Sequence, residues 1–144
     1  MIEKDTVKLL RECDAGAKMG IASIGDVMKY VSDEGLQGLL QNCRNEHEKL
    51  CTEISVLLEE YKDSGKEPSP IAKGMSWMKT NAKLVMHESD TTVADLITDG
   101  CNMGVKSLSR YLNQYKAAEE RAKDIAKRLI HLEEQLAIDI RGYL

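Results

Sequence analysis

The chain has 144 residues, a length that suits one domain around a single apolar core. Its formal net charge of -4 argues against non-specific nucleic-acid binding, because such binding needs a basic face that displaces counterions from phosphates. No apolar run approaches the roughly 20 residues of a membrane-spanning helix, and residues 1–5 lack the character of a signal peptide. We therefore expect a cytoplasmic protein that binds neither nucleic acid nor membrane.

The first two predicted helices form a hairpin. The first, at about 2–31, has an apolar or small residue every three or four positions. The second, at about 34–62, repeats that spacing and places His47 in the middle of its apolar side. Because so short a break separates these helices, we expect them to pack as antiparallel neighbours.

The rest of the chain predicts a shorter helix and a second hairpin. These three helices lie at about 70–88, 91–113 and 117–143. Ser69 as N-cap and Pro70 at the first helical position mark the start of the shorter one. If the last two were continuous, they would form a helix about 80 Å long, which is too long for this domain. We therefore place a tight turn between Asn113 and Ala118.

The lengths of the connections predict the topology. The connection between the second and third long helices has about 27 residues and contains the shorter helix. It can therefore travel the length of a 30-residue helix, about 45 Å, and let the two long helices run parallel. We predict an all-α four-helix bundle with one long crossover, in a single domain over residues 1–144.

Several short segments carry a resemblance to a known family. They are Ser69-Pro70, Met75-Ser76-Trp77-Met78-Lys79, Asp95-Leu96-Ile97, Tyr111-Leu112 and Asp139-Ile140-Arg141-Gly142-Tyr143-Leu144. In these segments the chain resembles the ferritin-like superfamily and, more narrowly, a group of small bacterial ferritin-like proteins of unknown function. The resemblance implies a ferritin-like bundle and self-association into a homo-oligomer, and it implies no activity.

The ligands of a di-iron centre do not carry over. Such a centre takes a carboxylate from each of two helices and Glu-x-x-His from each of the other two. The histidines of this chain are His47, His87 and His131, and three positions before them stand Arg44, Leu84 and Arg128. None of these preceding residues is a carboxylate, so we expect no di-iron centre and no cofactor.

A degenerate metal site is the alternative. The inward-facing candidates are Asp14, Cys43, His47 and Glu133, a set whose thiolate, imidazole and carboxylate groups suit a single Fe, Mn or Zn ion. The simpler interpretation is a core histidine that hydrogen-bonds Asp14 or a hydroxyl. In that interpretation the cysteines are reduced and pack as small apolar residues, since no CxxC pair occurs.

Two glycines and a tryptophan complete the candidates. Gly100 and Gly104 lie one turn apart on the predicted inward face of the third long helix, where glycine is unfavourable by up to about 1 kcal/mol. They predict close helix packing or a groove for a small apolar ligand or partner helix. Trp77 lies on the short helix, either packed on the bundle or in a subunit interface.

No catalytic motif accompanies these residues. The chain has no glycine-rich phosphate loop, no nucleophile elbow and no zinc-protease signature. We therefore expect a non-enzymatic binding or assembly protein, a homo-oligomer that has an unidentified protein or a small apolar molecule as a possible ligand. The alternative is a metal-binding or redox protein that uses the core around His47.

Overall fold

The computed structural model describes residues 2–63, 65 and 89–144. These residues form four α-helices, α1 (Ile2–Met28), α2 (Glu34–Glu60), α3 (Asp90–Gln114) and α4 (Glu120–Asp139), and a 3₁₀ turn at Ile140–Tyr143. No strand occurs among them, so the all-α four-helix architecture predicted from the sequence is confirmed for this part of the chain. The helix predicted at about 70–88 lies outside the described residues. None of the four helices combines the length and the apolarity that crossing a bilayer requires.

Short polar residues start two of the helices. The side chain of Asp33 accepts a hydrogen bond from the backbone N–H of Leu36 at 2.9 Å and so caps α2. Ser89 caps α3 in the same way, with the backbone N–H of Thr92 as donor at 3.1 Å. The first helix ends at Met28, three residues earlier than the apolar spacing predicts, and residues 29–33 form the turn into α2.

The second and third helices run in the same direction. At one end, the carboxylate of Asp90 accepts hydrogen bonds from the backbone N–H groups of Ser32 at 2.8 Å and Asp33 at 3.1 Å, which joins the starts of α2 and α3. At the other end, Arg121 in the first turn of α4 pairs with Glu60, the last residue of α2, at 2.9 Å. The helices therefore run up, down, down and up, with Glu60 and Asp90 at opposite ends of the bundle.

Two apolar clusters fill the interior, and each takes residues from all four helices. The first cluster includes Leu10, Ala17, Leu50, Ile54, Leu58, Leu108, Ile125 and Leu129. The second includes Ile24, Val27, Leu36, Leu40, Val93, Ile97, Cys101 and Leu136. Between the clusters the four helices contribute Gly20, His47, Gly104 and Glu133, which we call the central layer. The interior therefore has a polar layer between two largely apolar clusters, with Thr6 and Asp14 as further buried polar residues of α1.

The turn between α3 and α4 is held by α1. The backbone N–H of Ala117 donates to the carboxylate of Asp5 at 3.1 Å, and that of Glu119 donates to the hydroxyl of Thr6 at 2.8 Å. No side-chain hydrogen bond from Glu119 itself caps α4. Two backbone donors of the turn that precedes α4 are therefore satisfied by residues at the start of the chain.

Candidate functional site

His47 is the centre of the polar layer. Its side chain is 1% exposed and lies on α2 between the two apolar clusters. The Nδ1 atom lies 2.8 Å from the backbone carbonyl oxygen of Cys43, one turn earlier on the same helix. The Nε2 atom lies 2.8 Å from Oε1 of Glu133 on α4. Both ring nitrogens therefore have a partner within the protein.

These two partners determine where protons lie. A carbonyl oxygen only accepts, so Nδ1 of His47 must carry a proton, and an ionised Glu133 then requires a second proton on Nε2. Burial lowers the pKa of His47, but hydrogen bonds with the Cys43 side chain and with Glu133, together with the charge of Glu133, outweigh burial and raise the pKa to about 10. At neutral pH the layer therefore holds an imidazolium paired with a carboxylate.

Gly20 makes room for the imidazole. A Cβ atom built at position 20 would lie 2.8 Å from both Cδ2 and Nε2 of His47, closer than real side chains approach. The ring cannot retreat freely, because both of its nitrogens are hydrogen-bonded. On α3, Gly104 is less constrained, since a Cβ there would lie 3.5 Å from Cδ of Glu133, an ordinary contact distance. Glycine is therefore required at position 20 and tolerated at position 104.

Two thiols border the charge pair. The Sγ atom of Cys43 lies 3.5 Å from Nδ1 of His47. The Cys101 side chain, on α3, hydrogen-bonds Glu133. Burial raises the pKa of the Cys101 thiol, and the neighbouring Glu133 charge raises it further, so this thiol stays neutral and donates to the carboxylate. Sequence reasoning missed Cys101, although its spacing of four from Ile97 on the buried side of α3 was a usable signal.

Asp14 lies outside the central layer. Its carboxylate is buried and pairs with Nζ of Lys18 at 2.8 Å. It also lies against Gly65, where an added Cβ atom would meet both Asp14 and Leu58. Because Leu58 is eleven residues beyond His47, this contact lies about 16 Å away along α2. The interpretation in which His47 hydrogen-bonds Asp14 or a hydroxyl is therefore wrong, and the partners are Glu133 and the carbonyl of Cys43.

Gly100 does not lie in the interior. It is exposed, and a Cβ atom built there would meet nothing within 4 Å. The prediction that it lies inward is wrong because Cys101, the next residue, takes the buried position on α3. The close packing or groove expected beside Gly100 is therefore not found at that residue. Trp77, the predicted interface residue, lies outside the described residues.

A surface depression follows the exposed side of α2 and encloses about 500 Å³. The residues that line it are Asn42, Asn45, Glu46, Glu48, Lys49 and Thr52. Their amides, hydroxyl and charges suit a polar surface and offer little to an apolar molecule.

Two of the four predicted metal candidates, His47 and Glu133, lie in the central layer, and a third, Cys43, borders it. Even so, within residues 2–63, 65 and 89–144 no three His, Cys, Asp or Glu side chains are arranged so that they could hold a metal ion. In the layer the imidazole nitrogens already bind protein atoms.

Comparison of the chain with models of known protein families, with curated proteins and with solved structures found no match.

Proposed function

We propose that the chain is a ferritin-like bundle that acts as a non-enzymatic binding or assembly protein and has no di-iron centre. The parallel direction of α2 and α3 supports the ferritin-like topology, since such bundles have one long crossover. A di-iron centre needs carboxylates from all four helices at one level. Here α1 and α3 contribute Gly20 and Gly104 at that level, and α4 contributes Glu133.

The closed hydrogen bonding of His47 carries this proposal. A general acid or base must reach a substrate atom, directly or through one water molecule. His47 is 1% exposed and directs one nitrogen to Cys43 and the other to Glu133. Cys101 is likewise buried, with a raised pKa, and such thiols are poor nucleophiles. This arrangement suits a structural contact inside the bundle, since both nitrogens of His47 contact protein atoms and neither is directed at a substrate.

Binding and assembly then belong to the outer surface. Large apolar side chains are exposed on all four helices, at Ile2 of α1, Val56 of α2, Met103 of α3 and Ile138 of α4. We infer that the chain forms a homo-oligomer through its helix faces and that a further protein or small molecule binds the assembled surface. Single exposed apolar residues are common on monomers, so the oligomeric state has to be measured.

A metal-binding protein is the second candidate function. Cys43, His47, Cys101 and Glu133 lie around one charge pair, and cysteine, histidine and glutamate are ligand types that suit zinc or iron. An ion would need these side chains to rearrange, since no three of the described His, Cys, Asp and Glu side chains are placed to hold one. A bound ion would replace the protons that these groups now share, and it would need the His47–Glu133 hydrogen bond to break.

Two measurements test the proposal. Untagged protein, purified without chelator and incubated anaerobically with Fe(II), Mn(II) or Zn(II), is analysed by inductively coupled plasma mass spectrometry and by light scattering. We expect much less than one metal ion per chain. We also expect a particle mass of at least two chains, where one chain has a mass of 16.1 kDa. Nearly one ion per chain, lost in His47→Leu and kept in the exposed control His131→Leu, would establish the second candidate instead. A monomer at every concentration would remove assembly from the proposal.

A further inference from the structure

We propose that the central layer determines the alignment of the helices, because His47 fits only one position of α1 and one position of α4 against α2. This inference concerns how the bundle selects one packing, and it does not depend on the proposed function. It rests on two contacts of the same imidazole, one with the Gly20 backbone and one with the Glu133 carboxylate.

The apolar clusters alone leave the alignment poorly determined. Both are made of Leu, Ile, Val, Ala and Cys side chains. Apolar burial is non-directional, and cores accept many combinations of aliphatic residues when the total volume is kept. If one helix moved by a turn, about 5.4 Å, it would still place an aliphatic stripe against its neighbours. A polar contact with fixed geometry discriminates between such alternatives.

Movement of α4 by one turn would separate the charge pair. The buried residues one turn on either side of Glu133 are Leu129 and Leu136. Either movement would place an aliphatic side chain opposite His47 and leave an imidazolium buried without its carboxylate. An unpaired buried charge is strongly unfavourable, so these alignments are disfavoured far more than the apolar contacts alone would disfavour them.

Movement of α1 by one turn would fill the space that the imidazole occupies. The buried residues on either side of Gly20 are Ala17 and Ile24, and both carry a Cβ atom. At position 20 even that single atom would lie 2.8 Å from the ring. The hydrogen bonds from Ala117 to Asp5 and from Glu119 to Thr6, at one end of α1, oppose the same movement.

Replacing the pair by apolar residues tests the proposal. In His47→Leu/Glu133→Leu, spin labels attached at Thr52 of α2 and Gln135 of α4 report the relative position of the helices by pulsed electron resonance. The labels use a non-cysteine chemistry, because the chain has four native cysteines. The matched control is Glu53→Leu/Arg128→Leu, which removes an exposed ion pair between the same two helices, with N–O distances of 2.9 Å.

We expect one narrow distance population in the native chain and the control. In the apolar-layer variant we expect a broadened or doubled population, increased binding of a hydrophobic dye, unchanged helical circular dichroism and an unchanged or higher melting temperature. A single native distance in that variant would overturn the proposal. Loss of helical structure would also overturn it, because the layer would then supply stability and not alignment.

A second variant tests the position of α1 against α2. Gly20→Ala keeps the charge pair and fills the space beside the ring, so we expect a shifted or broadened distance between labels at Lys8 of α1 and Thr52 of α2. Gly100→Ala, at an exposed glycine, is the control and should leave that distance unchanged. An unchanged distance in a folded Gly20→Ala variant would contradict the inference.

Discussion

The backbone of Gly20 lies against the imidazole of His47 so closely that a Cβ atom at position 20 would come within 2.8 Å of Cδ2 and Nε2. Helices rarely contain glycine without a reason, since alanine is more favourable there by about 1 kcal/mol. In this protein the reason is a buried ring that has both nitrogens hydrogen-bonded. The contact therefore predicts opposite effects for substitutions that look alike in sequence.

Gly20→Ala should destabilise the protein. Relief of the overlap requires the ring or α1 to move, which in a packed core costs about 1–3 kcal/mol and exceeds the gain in helix propensity. We expect the free energy of unfolding, measured by urea denaturation, to fall by about 1–2 kcal/mol.

Gly100→Ala is the matched control for that substitution. Gly100 lies inside α3, and a Cβ atom there would meet nothing within 4 Å. We expect this variant to be more stable than the native chain by up to about 1 kcal/mol. If Gly20→Ala were stabilised to the same extent, the close contact between Gly20 and His47 would be disproved.

The charge pair should show strong coupling in a double-mutant cycle. Glu133→Leu leaves the imidazolium of His47 buried and unpaired, and we expect a loss of about 3–5 kcal/mol. His47→Leu leaves the Glu133 carboxylate facing an aliphatic residue and should also destabilise. The double variant should recover most of the native stability or exceed it.

An exposed pair between the same helices calibrates this cycle. Arg128 and Glu53 are about half exposed, so their coupling should be about 0–1 kcal/mol. Unfolding by urea at neutral pH gives both coupling energies. Equal coupling in the two cycles would show that burial adds nothing to the His47–Glu133 interaction.

The free energy of unfolding should fall at alkaline pH because His47 loses its proton. The pKa of His47 is about 10 in the folded protein, above its ordinary value of 6.5, which we take for the unfolded chain. The stabilisation is therefore complete below about pH 6.5 and is lost as the pH rises toward about 10, with a slope of up to about 1.4 kcal/mol per pH unit.

The measurement compares the native chain with His47→Leu/Glu133→Leu by urea unfolding at several pH values from roughly 6 to 10, the range in which His47 titrates. The rest of the chain is common to both proteins, so the difference between the two curves reports the pair together with the thiols of Cys43 and Cys101 that contact it. Parallel curves would mean that His47 is not protonated in the folded state at neutral pH.

Asp90 should matter for the parallel arrangement of α2 and α3. Its two carboxylate oxygens accept from the backbone N–H groups of Ser32 and Asp33, at the turn that precedes α2. We expect Asp90→Ala to lower the melting temperature and to cost about 0.5–1.5 kcal/mol, while Asp90→Asn, which keeps one carbonyl acceptor, should cost less. Identical losses in the two variants would argue against these bonds.

The sequence predicted the helices well because their signals are local. Apolar residues at intervals of three and four identify α1 to α4, and the same spacing places His47 in the core, where it lies. The choice of its partner was not local. Asp14 and Glu133 both border apolar stripes, and only the packing of α4 on α2 decides between them. In hindsight, Lys18 at four residues from Asp14 offered a helical ion-pair partner for that acid.

The error at Gly100 has a similar origin. After Ile97, a helical stripe can continue three residues later, at Gly100, or four residues later, at Cys101. Both positions satisfy the spacing, and the rotation of α3 against its neighbours selects Cys101. Free cysteine is among the residue types most often buried, so residue type favoured Cys101 as the buried position.

The turn after α3 depends on residues that are distant in the sequence, so no local residue pattern marks it. Chain length predicted a break between Asn113 and Ala118, and α3 ends at Gln114. No Gly or Pro marks the turn, because its donors are satisfied by Asp5 and Thr6, more than a hundred residues away in the chain. Only a folded bundle brings these acceptors to the turn.

That dependence has a consequence for the order in which the protein is made. A ribosome releases Asp5 and Thr6 well before Ala117 and Glu119, so the acceptors are present when the donors emerge. Without α1, the backbone N–H groups of Ala117 and Glu119 would lose these acceptors, and the turn would keep local bonds such as that from the N–H of Ala118 to the carbonyl of Tyr115. Synthesis from the N-terminus therefore makes the acceptors of α1 available before the turn forms, and we expect this order to favour the second hairpin over one continuous helix.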